Sequence, residues 1–523
     1  MDGLFGHDFE IIYKEVDTKK LVRKSEPAIM AGSVDFDADK VLKSKKLSIH
    51  ERLDIIKTKV IKILGKQRQN IVVIRNLNDF SAYVDRCIKT GFVAIDTETN
   101  NSLDPVTCKL MGLCLYAPGE KQAYIPINHV DVDTGELLAN QLTEEDCKNQ
   151  LQRFKDAGTF IIMHNGKFDY EVLKTTCHIE VPPTWDTMIA ARLIDENELA
   201  GLKYLYTTYI DPSQSKYDIE SLFENIQYAY VDPEIFALYA ATDSMMAYKL
   251  FAYQQPIMLA EDMQRVYRVF TEIEMPIVIV TAEMELRGVS VNTDFGKCLK
   301  VKYKQQLDEI DAEINAELSQ LEQSVIAKWR LSPEGGLKRS RQYEPKKTTK
   351  SKADIAKLYP LIDTEEYLDS SKKTKNPNFE KRYKEGKMAG DVLENPINLA
   401  SPAQLAILFY DILEAPVVDK KSPRGTGKAE LEAIAEARPD LTLCKLILKR
   451  RGILKLVTTY INVIPDLVKH WPDGRIRFHL NSMGTDTGRY SSGGKLKFFE
   501  NDEPVVVSGI NIQNIPLTFR VGA

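Results

Sequence analysis

The sequence lacks the features that mark membrane, secreted and zinc-binding proteins. No uninterrupted apolar run approaches the ~18 residues of a membrane-spanning helix, and the acidic start, MDGLFGHDFEIIYKEVD, has no apolar segment typical of a signal peptide. The seven cysteines form no CxxC pair, which favours a reducing compartment over a disulfide framework. No grouping of His and Cys suggests zinc. The sequence therefore predicts a cytosolic protein with no membrane partner.

An excess of basic residues is also absent. Lysine and arginine number 70 against 75 aspartates and glutamates, which gives a net charge of −5. A nucleic-acid partner would therefore have to be held by local basic patches or through metal ions. With 43% hydrophobic and 28% charged residues over 523 positions, the composition is typical of a folded globular protein. At ~150 residues per domain, this length predicts about three domains.

Strand-like and helical segments alternate between residues 71 and 163. The apolar runs IVVIRNL, FVAID, MGLCLYA, QAYIPI and TFIIM predict strands, and NDFSAYVDRCIKTG and TEEDCKNQLQRFKD predict helices. Gly91 is expected to end the first helix, and Thr143 to cap the second. This alternation predicts an α/β domain with a mixed sheet. Residues 187–330 are predicted to be almost wholly helical, with a long charged helix that we interpret as a structural strut.

Acidic residues lie where the strand FVAID ends. Asp96 and Glu98 are two residues apart, so an extended strand points both side chains to one face. Two adjacent carboxylates repel one another and both stay ionised most easily with a cation between them. By itself, Asp-x-Glu is more typical of a strand-end turn.

Two further clusters contain acids at helical spacing. In HNGKFDYEVL, Asn165 and Asp169 are four residues apart and are predicted to share a helical face, with Phe168 packing beneath, although Asn165 also fits a helix N-cap. In LYAATDSMMAYKLF, Tyr239 and Asp243 are four residues apart. Each cluster alone is typical of ordinary helix surface. Together with the first pair they suit two Mg²⁺ ions, because hard cations prefer oxygen ligands and a pair ~3.5–4 Å apart can activate water.

These stretches resemble the three exonuclease motifs in the 3′–5′ proofreading domain of family A DNA polymerases, the Asp-Glu-Asp-Asp superfamily with a tyrosine in the third motif. AIDTET is similar to the first motif, NGKFD to the second and YAATD to the third. WDTMIAARLID is similar to the family segment between the second and third motifs. The resemblance implies a ribonuclease-H-like fold and metal-dependent cleavage of DNA from its 3′ end.

The resemblance also implies roles for the residues of the site. Asp96, Glu98 and Asp243 would hold one metal ion, and Asp96 would also contact a second ion that Asp169 binds through water. Both ions are expected to be Mg²⁺, with Mn²⁺ as an alternative because it accepts the same ligands. Tyr239 would orient the attacking water. Residues that contact the terminal nucleotide of a single-stranded 3′ end would be Asn165 and Phe168.

The second half resembles the polymerase module of the same family. NLASPAQLAILFYDIL resembles the thumb motif, RRGILKLVTTYINVIP the helix that returns to the palm, and TDTGRYSS and NIQNIP two polymerase motifs. Arg489 offers a forked cation for the minor-groove face of a primer–template. Thr485 and Ser491 can donate hydrogen bonds to phosphates, and Gln513 and Asn514 of the last motif are predicted to contact DNA.

The fold class expected from the resemblance is a ribonuclease-H-like α/β domain followed by a mainly helical thumb and a partial palm (α+β). The palm is expected to be partial because only seven residues follow NIQNIP. The sequence-based expectation is a proofreading exonuclease of a phage-type split polymerase in a host bacterial cytoplasm. A separate carboxyl-terminal chain would carry palm and fingers for DNA synthesis. The alternatives are a DNA-binding scaffold subunit with little nuclease activity, and an RNA-processing exonuclease of the ribonuclease-D kind, against which the thumb motif argues.

The expected domain boundaries follow from these motifs and from composition. A lysine-rich stretch near residues 338–350 is either a solvated loop or a phosphate-contacting surface. The predicted segments are an accessory segment (1–68), the exonuclease domain (69–255), a linker with the start of the polymerase module (256–332), a basic flexible insertion (333–392), the thumb (393–470) and a truncated partial palm (471–523).

Overall fold

The computed structural model describes residues 47–213, 220–223, 226–332, 368–369, 374–375, 393, 396–485, 489–493, 495–500, 503–508 and 511–514. The chain divides into two compact units, one formed by residues 1–291 with 467–523 and the other by residues 292–466. No helix in the described ranges has the length and apolar character needed to span a membrane. The predicted accessory residues 1–46 and most of the predicted basic insertion lie outside the described residues.

The helices and strands of the first unit follow the order expected for an α/β domain. Its helices are α1 (Ile49–Leu64), α2 (Leu77–Thr90), α3 (Glu144–Asp156), α4 (Gly166–Thr176), α5 (Thr187–Ile194), α6 (Leu202–Tyr209), α7 (Glu220–Phe223), α8 (Pro233–Met258), α9 (Gln264–Val269) and α10 (Met275–Arg287). The strands up to residue 290 are β1 (Ile71–Val73), β2 (Phe92–Thr99), β3 (Leu110–Tyr116), β4 (Gln122–Pro126), β5 (Phe160–Met163), β6 (Trp185–Asp186) and β7 (Val289–Ser290).

Six strands form one mixed sheet in the order β1-β4-β3-β2-β5-β6. Strand β2 runs antiparallel to β3 and parallel to β5, so it occupies the interior of the sheet. The pairs β1–β4 and β5–β6 are parallel, and β3–β4 is antiparallel. The predicted mixed-sheet, ribonuclease-H-like α/β architecture is confirmed.

Local signals in the sequence set the helix ends. Thr143 caps α3 by accepting a hydrogen bond from the Asp146 N–H, and the Asp146 carboxylate accepts in return from the Thr143 N–H, which forms a capping box. Gly91 ends α2 with φ of 79°, a left-handed conformation that glycine adopts without steric cost. Both predicted boundaries are confirmed.

Helices cover both faces of the sheet. One face carries α2, α3 and α4, whose buried side chains include Phe80, Phe154 and Val172. The other face carries the 26-residue helix α8, which packs together with α1 through Ile56 and Val60. Thus α1, which the sequence analysis assigned to an accessory segment, contributes to the core that supports β3 and β4.

The chain returns to this unit after residue 466. The returning segment contains α16 (Ile464–Val468), β10 (Arg475–Ile476), β11 (His479–Asn481), β12 (Ser491–Gly493), β13 (Lys495–Glu500) and β14 (Glu503–Ser508). Strand β10 pairs with β7, and the buried Trp471 donates its Nε1–H to Asp104 at 2.9 Å. Lys167 of α4 donates to the Leu480 carbonyl at 2.6 Å. The returning segment is therefore anchored on the exonuclease-like fold.

The second unit is mainly helical. Its elements are α11 (Thr293–Leu321), α12 (Ala327–Leu331), β8 (Leu368–Asp369), β9 (Thr374–Lys375), α13 (Pro402–Ala406), α14 (Lys428–Ala437) and α15 (Thr442–Leu456). The predicted charged helix is α11, and it buries Ile310 and Ile314 in the core of this unit. Arg450 of α15 pairs with Asp311 of α11, with Nε and Oδ1 2.5 Å apart. The α-helical polymerase-like region expected after the α/β domain is confirmed.

Candidate active site

The two acids of the first motif lie on β2 and face the same side of the sheet. A carboxylate oxygen of Asp96, a carboxylate oxygen of Glu98 and the Cys114 sulfur all lie within 4.8 Å of one another. Cys114 belongs to β3, where it is the register partner of Asp96. The structure brings the two carboxylates together, as the strand spacing predicts.

A glycine makes room beside this pair. Gly112 of β3 pairs with Glu98, and a Cβ at Gly112 would lie 2.3 Å from atoms of the Tyr124 ring. The Tyr124 ring therefore occupies the space that a side chain would take. Its hydroxyl is held by a 2.7 Å hydrogen bond with His129 Nε2. A larger residue at position 112 would displace this ring from the inner wall of the site.

The acid of the second motif is tied to the first motif. Asp169 of α4 is buried and accepts hydrogen bonds from the Thr97 N–H at 2.9 Å and the Thr97 hydroxyl at 2.7 Å. Because Thr97 stands between Asp96 and Glu98, these bonds fix α4 against the end of β2. Phe168, the residue before Asp169, is half-buried against the core, as expected.

Asn165 differs from its prediction in two respects. It adopts a left-handed conformation (φ 59°) before α4 begins, so it does not share a helical face with Asp169. Its side chain makes no capping hydrogen bond. Instead, buried Asp186 accepts hydrogen bonds from the N–H groups of Asn165 and Gly166 at 3.1 and 2.8 Å. The Asp186 carboxylate therefore accepts hydrogen bonds from N–H groups at the N-terminus of α4. It also caps α5 by accepting a hydrogen bond from the Met188 N–H.

The third motif lies on α8 and is joined by a lysine that the sequence analysis missed. Tyr239 and Asp243 are one turn apart on α8. The Lys203 Nζ, from α6, lies 3.4 Å from the Tyr239 hydroxyl oxygen and 3.7 Å from Asp243 Oδ2. The same Nζ lies 4.4 Å from the centroid of the Tyr239 ring. A lysine in the helix GLKYLYTTY carries no local signal of function, and only the fold places it here.

Burial and neighbouring charge raise the pKa values of two carboxylates in the cluster. Burial, followed by repulsion from Asp169, Glu98 and Asp243, raises the pKa of Asp96 well above its ordinary value, although the Lys203 charge lowers it in part. Burial raises the pKa of Asp169 to about 7, and its hydrogen bonds from Thr97 oppose that rise. The positive charge of Lys203 therefore does not fully offset the effect of burial and of the neighbouring carboxylates on the pKa of Asp96.

This arrangement fits divalent cations. Converging carboxylate oxygens are the ligands that Mg²⁺ and Mn²⁺ prefer, and a cation would relieve the repulsion that raises the pKa of Asp96. The residues that would hold such ions are Asp96, Glu98, Asp169 and Asp243.

The polymerase-like motifs form a separate feature of the returning segment. The Thr485 hydroxyl accepts a hydrogen bond from the Arg489 N–H at 3.0 Å and donates to the Arg489 carbonyl at 2.8 Å, closing a turn. Arg489 itself is exposed. Residues 486–488 and 515–523 of the two motifs lie outside the described residues. The exposed guanidinium is placed where a large ligand can reach it.

The two polymerase-like motifs contact each other. The Ser492 hydroxyl accepts a hydrogen bond from the Ile512 N–H at 3.2 Å, while Ser491 pairs with Asn481 between β12 and β11. The 18 residues between the motifs contain the antiparallel pair β13–β14. Gln513 is exposed in a short helical turn, Ile512–Asn514, that also contains Asn514. The intervening stretch therefore forms a hairpin while the motifs stay adjacent.

Comparison with known families agrees with both halves of the chain. Residues 71–258 match the family model described as 3′–5′ exonuclease of family A DNA polymerases, and residues 369–496 match the model described as DNA polymerase family A. The first match contains all four acids and Tyr239, and the second contains the turn of Thr485 and Arg489. The polymerase-family match lies within this chain, so the comparisons do not support the predicted separate carboxyl-terminal chain.

Curated proteins that are similar in sequence to this chain are named DNA polymerase I. DNA polymerase I of Borreliella burgdorferi is 31% identical over 231 residues, covering 43% of this chain and 24% of the relative. DNA polymerase I of Chloroflexus aurantiacus is 25% identical over 468 residues, covering 86% and 38%. The thermostable DNA polymerase I of Thermus aquaticus is 36% identical over 131 residues, covering 24% and 14%. The chain thus spans less than two fifths of the length of these relatives.

A solved structure shares the fold. The polymerase domain of Pol1 from M. smegmatis, in complex with DNA primer–template and dNTP, aligns with a TM-score of 0.52 at 16% identity, covering 85% of this chain and 56% of that chain. The likeness extends over both compact units. The chain is therefore similar to family A DNA polymerase I in two regions, the 3′–5′ exonuclease match at residues 71–258 and the polymerase-family match at residues 369–496.

Proposed function

We propose that the chain is a metal-dependent 3′–5′ exonuclease that removes mismatched nucleotides from the 3′ end of DNA, as the proofreading part of a family A DNA polymerase. The observation that carries the proposal is the cluster in which Thr97 links Asp169 to Asp96 and Glu98, while Lys203 contacts Tyr239 and Asp243.

The residues of the cluster have distinct roles in the proposed reaction. Two divalent cations held by the carboxylates would supply an activated water and stabilise the leaving 3′-oxygen. Lys203 donates a hydrogen bond to the Tyr239 hydroxyl oxygen and so orients the hydroxyl group, with which Tyr239 would position the attacking water. Attack of the water oxygen on phosphorus breaks the bond to the 3′-oxygen and releases a nucleoside 5′-monophosphate.

Lys203 is a positioning residue in this mechanism. Its ammonium group lies over the Tyr239 ring and beside Asp243, so one charge fixes two neighbouring groups on α8. It also lowers the pKa of Asp96 in part, which favours the ionised carboxylate that a cation needs.

The proposal is tested with a 5′-labelled primer that carries a 3′ mismatch. The purified chain with Mg²⁺ is expected to shorten the primer one nucleotide at a time, and Asp96→Ala is expected to abolish shortening. Asp85→Ala is the matched control, because Asp85 is an exposed acid of α2 whose partner is Arg153. Full metal-dependent activity in Asp96→Ala would contradict the proposal.

A second candidate function is a DNA-binding scaffold with little nuclease activity. The hydrogen bonds that hold Arg489 to Thr485 support it, because Arg489 is exposed and can present its guanidinium to a nucleic-acid backbone or base edge. In a primer–template binding assay, Arg489→Ala is expected to weaken affinity. Unchanged affinity in that variant would remove Arg489 from the proposed interface.

The sequence-based expectations of a phage-type, split enzyme in the bacterial cytoplasm, of primer–template binding and of the domain boundaries stay predictions. An extension assay with all four nucleotides, with and without a protein that supplies palm and fingers, tests the requirement for a second chain. Extension by the chain alone would exclude that requirement.

A further inference from the structure

A cysteine stands inside the carboxylate cluster. Cys114 is fully buried, and its sulfur lies within 4.8 Å of a carboxylate oxygen of Asp96 and of Glu98. Within the described part of the chain, its thiol takes part in no hydrogen bond and no disulfide. A buried thiol without a hydrogen-bond partner, close to two carboxylates, is a further ligand atom beside the proposed metal site.

The chemistry of sulfur differs from that of the carboxylates. Mg²⁺ and Ca²⁺ bind oxygen, whereas soft thiolate ligands select ions such as Zn²⁺. Zinc bonds of about 2.0–2.3 Å at tetrahedral angles place ligand atoms roughly 3.3–3.8 Å apart. The three ligand atoms here lie within 4.8 Å of one another. Inward movements of the side chains by roughly 1 Å would complete a mixed site.

The register of the sheet fixes this placement. Cys114 is paired with Asp96, and paired residues on adjacent strands point to the same face. Because β2 and β3 lie in the interior of a six-stranded sheet, the Cβ of Cys114 cannot leave the face that carries the carboxylates without loss of strand pairing.

We propose that Cys114, with Asp96 and Glu98, forms a mixed sulfur–oxygen site that binds a thiophilic divalent cation such as Zn²⁺ or Cd²⁺ in competition with Mg²⁺. The inference rests on the proposed exonuclease site, whose carboxylates it shares. Binding releases the thiol proton to solvent as the metal–sulfur bond forms. A soft ion held in this way occupies the position of a hard ion and inhibits the nuclease.

Cadmium is the probe for the direct test. The full chain is titrated with Cd²⁺ while the ultraviolet sulfur-to-cadmium charge-transfer band is recorded, which reports on the metal–sulfur bond and not on activity. In Cys114→Ser, the absorbance of the charge-transfer band is expected to fall by the amount that one cadmium–sulfur bond per chain contributes. This variant is also expected to bind Cd²⁺ at least roughly tenfold more weakly. Cys444→Ser is the matched control, because Cys444 is also buried but belongs to the second unit.

Cys114→Ala guards against a folding defect in the serine variant. The smaller side chain introduces no new hydrogen-bonding group, and the folded state of each variant is checked by circular dichroism. Loss of the band in either folded variant supports the proposal. The same band and the same midpoint in both the wild-type chain and a folded Cys114 variant would overturn it.

A parallel nuclease assay separates this inference from the proposed function. With Mg²⁺ present, Cd²⁺ is expected to inhibit the wild-type chain at a concentration roughly tenfold lower than it inhibits Cys114→Ser. Mg²⁺-dependent cleavage with equal Cd²⁺ sensitivity in both proteins would overturn the mixed site and leave the exonuclease intact. A cadmium band that depends on Cys114 in a chain without nuclease activity would overturn the exonuclease and support the mixed site.

Discussion

The Asp169 carboxylate accepts two hydrogen bonds from Thr97, at 2.9 Å from its N–H and 2.7 Å from its hydroxyl. Thr97 lies on β2 between two of the proposed metal ligands, and Asp169 lies 72 residues later on α4. One residue therefore sets the distance between the first and second motifs. The bonds also oppose the rise that burial causes in the pKa of Asp169.

Thr97→Val tests this linkage. Valine keeps the branched shape but lacks the hydroxyl, so the buried Asp169 loses one hydrogen bond and its pKa rises further above about 7. The acidic limb of the nuclease pH–rate profile is expected to move to higher pH. A hydrogen bond to a charged group contributes about 1.5–3 kcal/mol, so the free energy of unfolding is expected to fall by that order. Thr97→Ser, which keeps the hydroxyl, is expected to resemble the wild-type chain.

Removal of metal is expected to make stability depend on pH. The pKa of Asp169 is about 7 in the folded chain against an ordinary value of 3.8, so the unfolded chain releases its proton at lower pH than the folded chain does. In EDTA, this group's contribution to stability is therefore full below about pH 4 and is lost as the pH rises towards 7. Thermal unfolding in EDTA is expected to show this decline and Asp169→Asn to reduce it. A larger stabilisation by Mg²⁺ at pH 5 than at pH 7.5 would contradict the predicted loss of metal-free stability with rising pH.

Lys203→Met tests the positioning role of the lysine. Methionine keeps most of the chain length but removes the ammonium group that contacts Tyr239 and Asp243. The value of kcat is expected to fall about 10- to 100-fold, with a smaller change in KM, because a misplaced group slows the chemical step. Lys249→Met, at an exposed position of α8, the helix that carries Tyr239 and Asp243, is expected to leave both constants unchanged. An equal loss in both variants would show that the effect is not specific to the site.

The bond between Trp471 and Asp104 is expected to stabilise the first unit. Both side chains are buried and lie 367 residues apart, with Nε1 and Oδ2 separated by 2.9 Å. Trp471→Phe is expected to lower the free energy of unfolding by about 1–3 kcal/mol, since a buried acceptor loses a donor. Urea unfolding of Trp471→Phe, Asp104→Asn and the double variant measures the coupling. Strict additivity would show that the bond contributes nothing.

Much of the first unit follows from local signals. The apolar runs predict the strands, Thr143 and Gly91 mark helix ends, and Asp96 and Glu98 converge because strand geometry requires it. These features depend on neighbours in the sequence, and this is why a single sequence is enough to predict them.

Other features depend on residues that are distant in sequence. Lys203 enters the site only because α6 packs beside α8, and Cys114 only because β3 pairs with β2. The Asn165 side chain makes no cap, and Asp186, which is 21 residues away, accepts the N–H groups of Asn165 and Gly166 instead. No local pattern predicts such contacts, because each is set by the packing of whole elements.

The most direct test of the central claim is the fate of a 5′-labelled primer with a mismatched 3′ nucleotide, incubated with the purified chain and Mg²⁺. The account predicts stepwise shortening that EDTA and Asp96→Ala abolish and Asp85→Ala does not. A primer that keeps its length with Mg²⁺ and with Mn²⁺, while the chain is folded, would contradict the account.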